Sequence, residues 1–291
     1  MKPGAACIVL AVLSGGQAVE RKSPTFEEIV RMRIVWSVPG MDAVAVRRNV
    51  VYKTGDAGAP LHMDVYSPPG PARARPAVIL IHGGPIPQLG AKNMGVFVSY
   101  GEVVAASGLV AVAFDHRFLA PARLQDAASD VADLVSHVRA NASSIGVDPE
   151  RIALWAFSGG GPFLSSALRA RPSWLRAVAS YYAVLDLQQP PPGAPDGGMS
   201  AETRTLFSPV AALGQDAKNA PPILLARAGL DNPWLNDGVD RFVAAALSRG
   251  ATLDLLTHPS GRHGFDILDD DARSREIIRR TLEFLRARLE Q

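Results

Sequence analysis

The run Ile152-Ala153-Leu154-Trp155-Ala156-Phe157-Ser158-Gly159-Gly160-Gly161 carries an apolar segment straight into a serine followed by three glycines. At the junction of a strand and a helix, a tight, strained turn exposes a serine Oγ above the sheet edge, which is the placement of a nucleophile. Ala156 and Gly160, two residues to either side, are small enough to allow that turn. Gly159 offers a backbone N–H, and the helix start adds partial positive charge where an oxyanion would form. A serine hydroxyl is a weak nucleophile at neutral pH, so it needs a base within hydrogen-bond reach and a third group to fix the tautomer of the base. Downstream, the apolar segment Pro222–Ala228 delivers Asp231, and the segment Thr252–His258 precedes Gly261-Arg262-His263-Gly264-Phe265. Upstream, Pro76–Ile81 runs into His82-Gly83-Gly84-Pro85, whose glycine amides can approach a ligand closely. Ser158, Asp231 and His263 thus form a candidate set for acyl transfer, with Gly83, Gly84 and Gly159 as oxyanion donors. His258 is an alternative base, and Asp186 and Asp266 are alternative acids. The glycines after Ser158 do not read as a phosphate loop, because the Lys-Ser/Thr ending is absent.

Four further segments fall in order around this set: Leu61–Pro68, Phe114–Phe118, Asp130–Leu134 and Val147–Ala153. Together the motifs, from Val50 to Leu289, resemble the α/β-hydrolase family. The likeness is to its esterase and lipase-like branch with a His-Gly-Gly oxyanion loop, shading into dienelactone-hydrolase and prolyl-peptidase-like relatives. The first glycine of the usual Gly-x-Ser-x-Gly is Ala156 here. The resemblance implies a mostly parallel eight-stranded sheet covered by helices on both faces, an α/β fold with a minimal cap. It favours His263 over His258, through the His-Gly-Phe sequence, and Asp231 as the acid, although some relatives carry the acid one strand earlier, near Asp186. It implies a serine carboxylic-ester hydrolase without cofactor, acting on short or small esters through an acyl-enzyme on Ser158. Two alternatives stay open: an amide hydrolase of prolyl-peptidase or formamidase type, and a non-catalytic binding protein that kept the fold.

The elements that must position these residues are legible as alternating strand and helix patterns from Ala77 onward, which call for a parallel sheet covered on both faces. Thr25-Phe26-Glu27-Glu28 has capping-box spacing and predicts a short helix reaching about Trp36. Val44–Lys53 and Leu61–Tyr66 flank Thr54-Gly55-Asp56-Ala57-Gly58, a hairpin signal. Apolar residues at Leu124, Ala127, Val131, Leu134 and Val138 predict a covering helix with Asp126, Asp130 and Asp133 among its polar positions. A strand is expected over Val178–Tyr182, with Tyr181 and Tyr182 in the core or one of them facing the pocket. A terminal helix is expected over about Asp270–Leu289. Two stretches read as irregular: Ile86–Asn93 at the rim of the site, and the Pro/Gly-rich Gln188–Gly198, too poor in large apolar residues for a bulky cap. His82 reads as a brace for its loop, and the resemblance implies that the Asp115-His116-Arg117 segment has a structural part in the site floor. His258 reads as shaping its loop through its bond to Pro259.

The 291 residues are 47% hydrophobic and 20% charged with a net charge of +2, a balance that predicts one globular domain and argues against a nucleic-acid or anionic-membrane surface. The single cysteine, Cys7, excludes a disulfide framework, and no His-x-x-x-His pair accompanies His82, so no metal site is expected. Lys2, the apolar Ala5–Leu13 and the small residues Gly16-Gln17-Ala18 resemble a secretory signal over residues 1–18. That stretch is too short to span a bilayer. The expected organisation is therefore a signal over 1–18 and one α/β-hydrolase domain over 19–291, secreted or periplasmic, with a cytoplasmic location as the alternative. A small-molecule ester is the only partner expected, and the oligomeric state is not legible.

Overall fold

A computed structural model describes residues 24–54, 60–70, 73–86, 88–189 and 199–291. The proposed signal over 1–18, the hairpin turn at 55–58 and positions 190–198 of the Pro/Gly-rich stretch lie outside the described residues.

Eight strands form one sheet: β1 (Ala45–Lys53), β2 (Leu61–Ser67), β3 (Arg75–Ile81), β4 (Val110–Phe114), β5 (Val147–Phe157), β6 (Leu175–Tyr181), β7 (Ile223–Ala228) and β8 (Leu253–His258). Their order is β1-β2-β4-β3-β5-β6-β7-β8, with β2 antiparallel to both β1 and β4 and every other neighbouring pair parallel. The helices are α1 (Phe26–Arg31), α2 (Gly95–Ala106), α3 (Leu124–Ala140), α4 (Ala142–Ile145), α5 (Ser165–Ala170), α6 (Ala201–Leu206), α7 (Pro209–Ala212), α8 (Pro233–Ser248), α9 (Phe265–Leu268) and α10 (Ala272–Leu289).

The central strands read as unbroken apolar runs because both faces are covered. Successive side chains alternate between two cores. Ile152, Leu154 and Ala156 of β5 pack with Val131, Leu134 and Val138 of α3 and with Phe242 of α8. Ala153, Trp155 and Phe157 pack on the opposite face with Tyr100 of α2 and with Ile277 and Leu285 of α10. Since β3, β5, β6, β7 and β8 run parallel, the residues just past Ile81, Phe157, Tyr181, Ala228 and His258 all emerge at one edge. That edge is where open α/β sheets place ligands.

Several expectations change in detail. The capping box at Thr25 and Glu28 forms, but α1 ends at Arg31 rather than near Trp36. The chain leaves the helix there because the Ile34 N–H donates to Ser99 Oγ and the Val35 N–H donates to the Asp266 carbonyl. β6 stops at Tyr181, since Tyr182 turns to φ +38°. Between β6 and β7 the described residues hold two short helices, α6 and α7, which the sequence reading passed over.

Asp130, expected at a polar helix position, is fully buried. It accepts from the Arg117 N–H, Nε and Nη2 and from Lys53 Nζ, at 2.7–2.9 Å. Burial alone would raise the pKa of its carboxyl, but those hydrogen bonds outweigh burial and hold it below the usual carboxylate range. This carboxylate ties α3 to β1 and to the segment after β4 that floors the site.

Candidate active site

Ser158 follows β5 directly and adopts φ +51°, a left-handed conformation that costs a non-glycine residue about 1–3 kcal/mol. The strain is sustained by packing that only glycine permits. A Cβ on Gly160 would lie 2.7 Å from the carbonyl oxygens of Ile81 and His82, and one on Gly159 would collide with the Gly84 carbonyl. A Cβ on Gly83 would come within 2.8 Å of Ser158 Cβ. The glycines on both sides are therefore what let the His82–Pro85 loop lie against the serine. The helix expected after Ser158 begins as a 3-10 segment, Ser158–Leu164, containing Pro162, and becomes α5 only at Ser165. Its opening N–H groups, Gly159 included, have no acceptor within the helix.

The structure brings the three expected side chains together. Ser158 Oγ lies 2.8 Å from His263 Nε2, and His263 Nδ1 lies 2.7 Å from Asp231 Oδ2. The Asp231 side chain is 2% exposed and that of His263 31%, so the carboxylate is sealed while the imidazole meets solvent. Asp231 Oδ1 accepts the Asn232 N–H at 2.6 Å, which leaves Oδ2 for the imidazole. With a carboxylate on Nδ1, that nitrogen carries the proton, and Nε2 is left as an acceptor for the serine hydroxyl.

The rival residues are engaged elsewhere. Asp186 pairs with Arg241 at 2.7 Å and accepts from Ser208 Oγ and the Gln188 N–H. Asp266 is buried and accepts from the hydroxyls of Tyr100 and Tyr182, each at 2.7 Å. His258 is buried under α10, with Nε2 3.1 Å from Ser274 Oγ and 3.2 Å from Asp271 Oδ1, while its carbonyl accepts the N–H groups of Gly229 and Gly261 and so shapes the loop that starts at Pro259.

Two histidines shape the glycine loop. The rings of His82 and His116 stack 3.5 Å apart with planes 8° from parallel. His82 Nδ1 bonds the Gly83 carbonyl at 2.6 Å, and His116 Nε2 bonds the His82 carbonyl at 3.1 Å. A trans peptide holds its N–H opposite its C=O. Drawing those two carbonyls toward the imidazoles therefore turns the N–H groups of Gly83 and Gly84 the other way. Asp115 closes the far side of this floor by accepting the N–H groups of Gly90 and Lys92.

Burial drives both imidazoles to the neutral form, His82 down to about 4 and His116 well below its ordinary value. The unfolded chain takes up these protons near pH 6.5 and the folded chain does not, so their contribution to stability is complete above pH 6.5 and drains away toward pH 4. The urea midpoint of the wild type should fall between pH 7 and 5. His116→Phe keeps a ring in the stack and removes one of these protonations. It should be less stable at pH 7, through loss of the bond to the His82 carbonyl, yet lose less between the two pH values. Equal slopes for the two proteins would refute this account.

Comparison with known proteins places this geometry in context. Residues 63–170 match the model of the BD-FAE family. A probable isoprenylcysteine alpha-carbonyl methylesterase of Arabidopsis thaliana is 33% identical over 124 residues, 42% of this chain and 28% of that protein. This chain thus spans less than a third of that curated relative. The thermophilic esterase Est2 of the planctomycete Thermogutta terrifontis superposes with a TM-score of 0.66 at 23% identity, covering 86% of this chain and 94% of that one. Structures of that esterase include one with butyrate bound and one phosphonylated by sarin. A bacterial heroin esterase superposes with a TM-score of 0.71 at 20% identity, covering 86% of each chain. With a mostly parallel eight-stranded sheet and these structural neighbours, the chain is an α/β-hydrolase-fold protein whose residues 63–170 match the BD-FAE family.

Proposed function

We propose that the protein is a serine hydrolase of carboxylic esters with Ser158 as nucleophile, His263 as general base and acid, and Asp231 as the group that orients the imidazole. The observation that carries this reading is the unbroken run Ser158 Oγ, His263 Nε2, His263 Nδ1, Asp231 Oδ2 at 2.8 and 2.7 Å, built on a serine at φ +51°. As Oγ adds to the ester carbonyl carbon, its proton passes to Nε2, and the imidazolium formed is stabilised by the buried Asp231 carboxylate. The carbonyl oxygen becomes an oxyanion, received by the Gly159 N–H and by the N–H groups of Gly83 and Gly84. Collapse of this intermediate breaks the C–O bond, and Nε2 returns its proton to the departing alcohol. Water then repeats the sequence on the acyl-enzyme and releases the acid, restoring the Ser158 hydroxyl.

Small esters are the favoured substrates. The described residues between β6 and β7 form only the short helices α6 and α7, a poor cover for a long acyl chain. The butyrate-bound structure of the Thermogutta esterase agrees with that acyl size. Export through the segment 1–18 belongs to the same proposal, and a reporter fused to residues 1–20 that stayed wholly in the cytoplasm would remove it. The main test is hydrolysis of p-nitrophenyl acetate, butyrate and octanoate beside an aminoacyl-proline anilide, with Ser158 labelled by a fluorophosphonate. Ester turnover falling from butyrate to octanoate, with labelling at Ser158, is expected. Faster cleavage of the anilide, or no labelling, would overturn the assignment.

A further inference from the structure

We infer that Tyr182 is a positioning residue for His263, anchored for that purpose by the buried carboxylate of Asp266. The inference rests on the proposed hydrolase reading for its kinetic consequence and on geometry alone for its placement.

Tyr182 stands just past the end of β6, where its N–H still bonds the Ala226 carbonyl at 2.9 Å. There φ swings to +38°, a conformation that an aromatic residue adopts only when its surroundings over-determine it. Two things are fixed by this turn. On one side the chain is redirected so that the Val184 N–H donates to the Ser158 carbonyl at 2.9 Å, which ties the turn to the proposed nucleophile. On the other side the phenol ring packs against the His263 imidazole, with centroids 4.7 Å apart and planes 56° apart. One residue therefore touches the imidazole through its ring and braces the serine backbone through its turn.

The ring is itself held at its far end. Tyr182 is 6% exposed, and its hydroxyl donates to Asp266 Oδ1 at 2.7 Å, while Tyr100 from α2 donates to Oδ2 at 2.7 Å. Asp266 lies at the start of α9, which Gly264, at φ +77°, joins to His263 by a tight turn. The loop that carries His263 thus returns, through Asp266, to the tyrosine that supports His263. Asp266 has no hydrogen bond to His263; it reaches the imidazole by contact through the Tyr182 ring and, directly, only through its charge. Burial raises the carboxyl of Asp266, and the two hydroxyls oppose that rise.

Proton transfer from Ser158 to His263 is sensitive to ring placement, since a displacement of about 1 Å at the reacting groups can cost on the order of a hundredfold in rate. Removing the anchor while keeping the ring should let the imidazole wander, and removing the ring should release it. The test compares Tyr182→Phe, Tyr182→Leu and Asp266→Asn with the wild type in steady-state hydrolysis of p-nitrophenyl butyrate. Alongside it, the proton on His263 Nδ1 is observed by NMR, where the bond to Asp231 gives a resolved downfield signal. Tyr182→Phe and Asp266→Asn should lower kcat about tenfold and Tyr182→Leu about a hundredfold, with KM changed less than about twofold. In all three variants the Nδ1 proton should broaden through faster exchange, and least in Tyr182→Phe. A Tyr182→Phe protein with wild-type kcat and a wild-type Nδ1 signal would overturn the inference, as would a fall in melting temperature alone. The NMR arm needs no turnover, so it decides the placement of His263 even if the wild type cleaves no ester, a result that would count against the hydrolase reading instead.

Discussion

Ser158→Ala should lower kcat for ester hydrolysis by a factor on the order of 10⁵ or more, with folding unchanged and fluorophosphonate labelling abolished. The size follows from the site acting as one unit. Without Oγ, the imidazole 2.8 Å away has no hydroxyl to activate, and only the N–H donors and substrate binding remain. For the same reason the effects should not add: His263→Ala alone and the double variant should both lie close to Ser158→Ala. Additive losses would mean that the two side chains act separately. Alanine accepts φ +51° at about the same cost as serine, so melting temperatures should match. Ser158→Gly separates strain from chemistry. Glycine removes a penalty of about 1–3 kcal/mol and adds back roughly 0.5–1 kcal/mol of unfolded-chain entropy, so an equally inactive protein should melt a few degrees higher. A glycine variant less stable than alanine would show that the turn stores no strain.

The sequence revealed the scaffold because its signals are local. Apolar runs buried on both faces of a parallel sheet, such as Val78–Ile81 and Ile152–Phe157, need no partner to be recognised. The glycines after Ser158 and His82 are likewise readable, since each marks a place where the backbone must come close to another chain segment. What stayed hidden depends on which distant groups meet. Asp186 and Asp231 both follow strands, and nothing along the chain says that Arg241 claims the first. Asp130 sits at a helix position that looks solvated until Lys53 and Arg117 converge on it. Of Tyr181 and Tyr182, the pair expected in the core or with one member facing the pocket, Tyr182 is the one against His263, and the signal that singles it out is Asp266 three residues past His263, a carboxylate among apolar neighbours that needs donors. The stacked pair of His82 and His116 could not be anticipated from two histidines 34 positions apart.

The strongest discrimination between the two candidate acids comes from exchanging each for its amide. In Asp231→Asn, Oδ1 should keep accepting the Asn232 N–H, now at 2.6 Å, and that bond decides which way the amide points. The NH₂ group must then take the place of Oδ2 and face His263 Nδ1 at the 2.7 Å position. A donor there forces Nδ1 to give up its proton and become the acceptor, so the neutral ring carries its proton on Nε2, directed at Ser158 Oγ. A base already protonated at the working nitrogen cannot take the serine proton, and an amide cannot balance the imidazolium charge. The expected loss in kcat is on the order of 10⁴-fold with KM little changed, in a protein that folds normally. Asp186→Asn should behave in the opposite way. It breaks the pair with Arg241 and weakens the bond from Ser208, so it should lower the melting temperature while kcat stays within about threefold at a temperature where the protein is folded. If Asp186→Asn were the inactive folded variant and Asp231→Asn the active one, the acid would lie at the end of β6, and the hydrogen bond seen at His263 Nδ1 would have no part in the reaction.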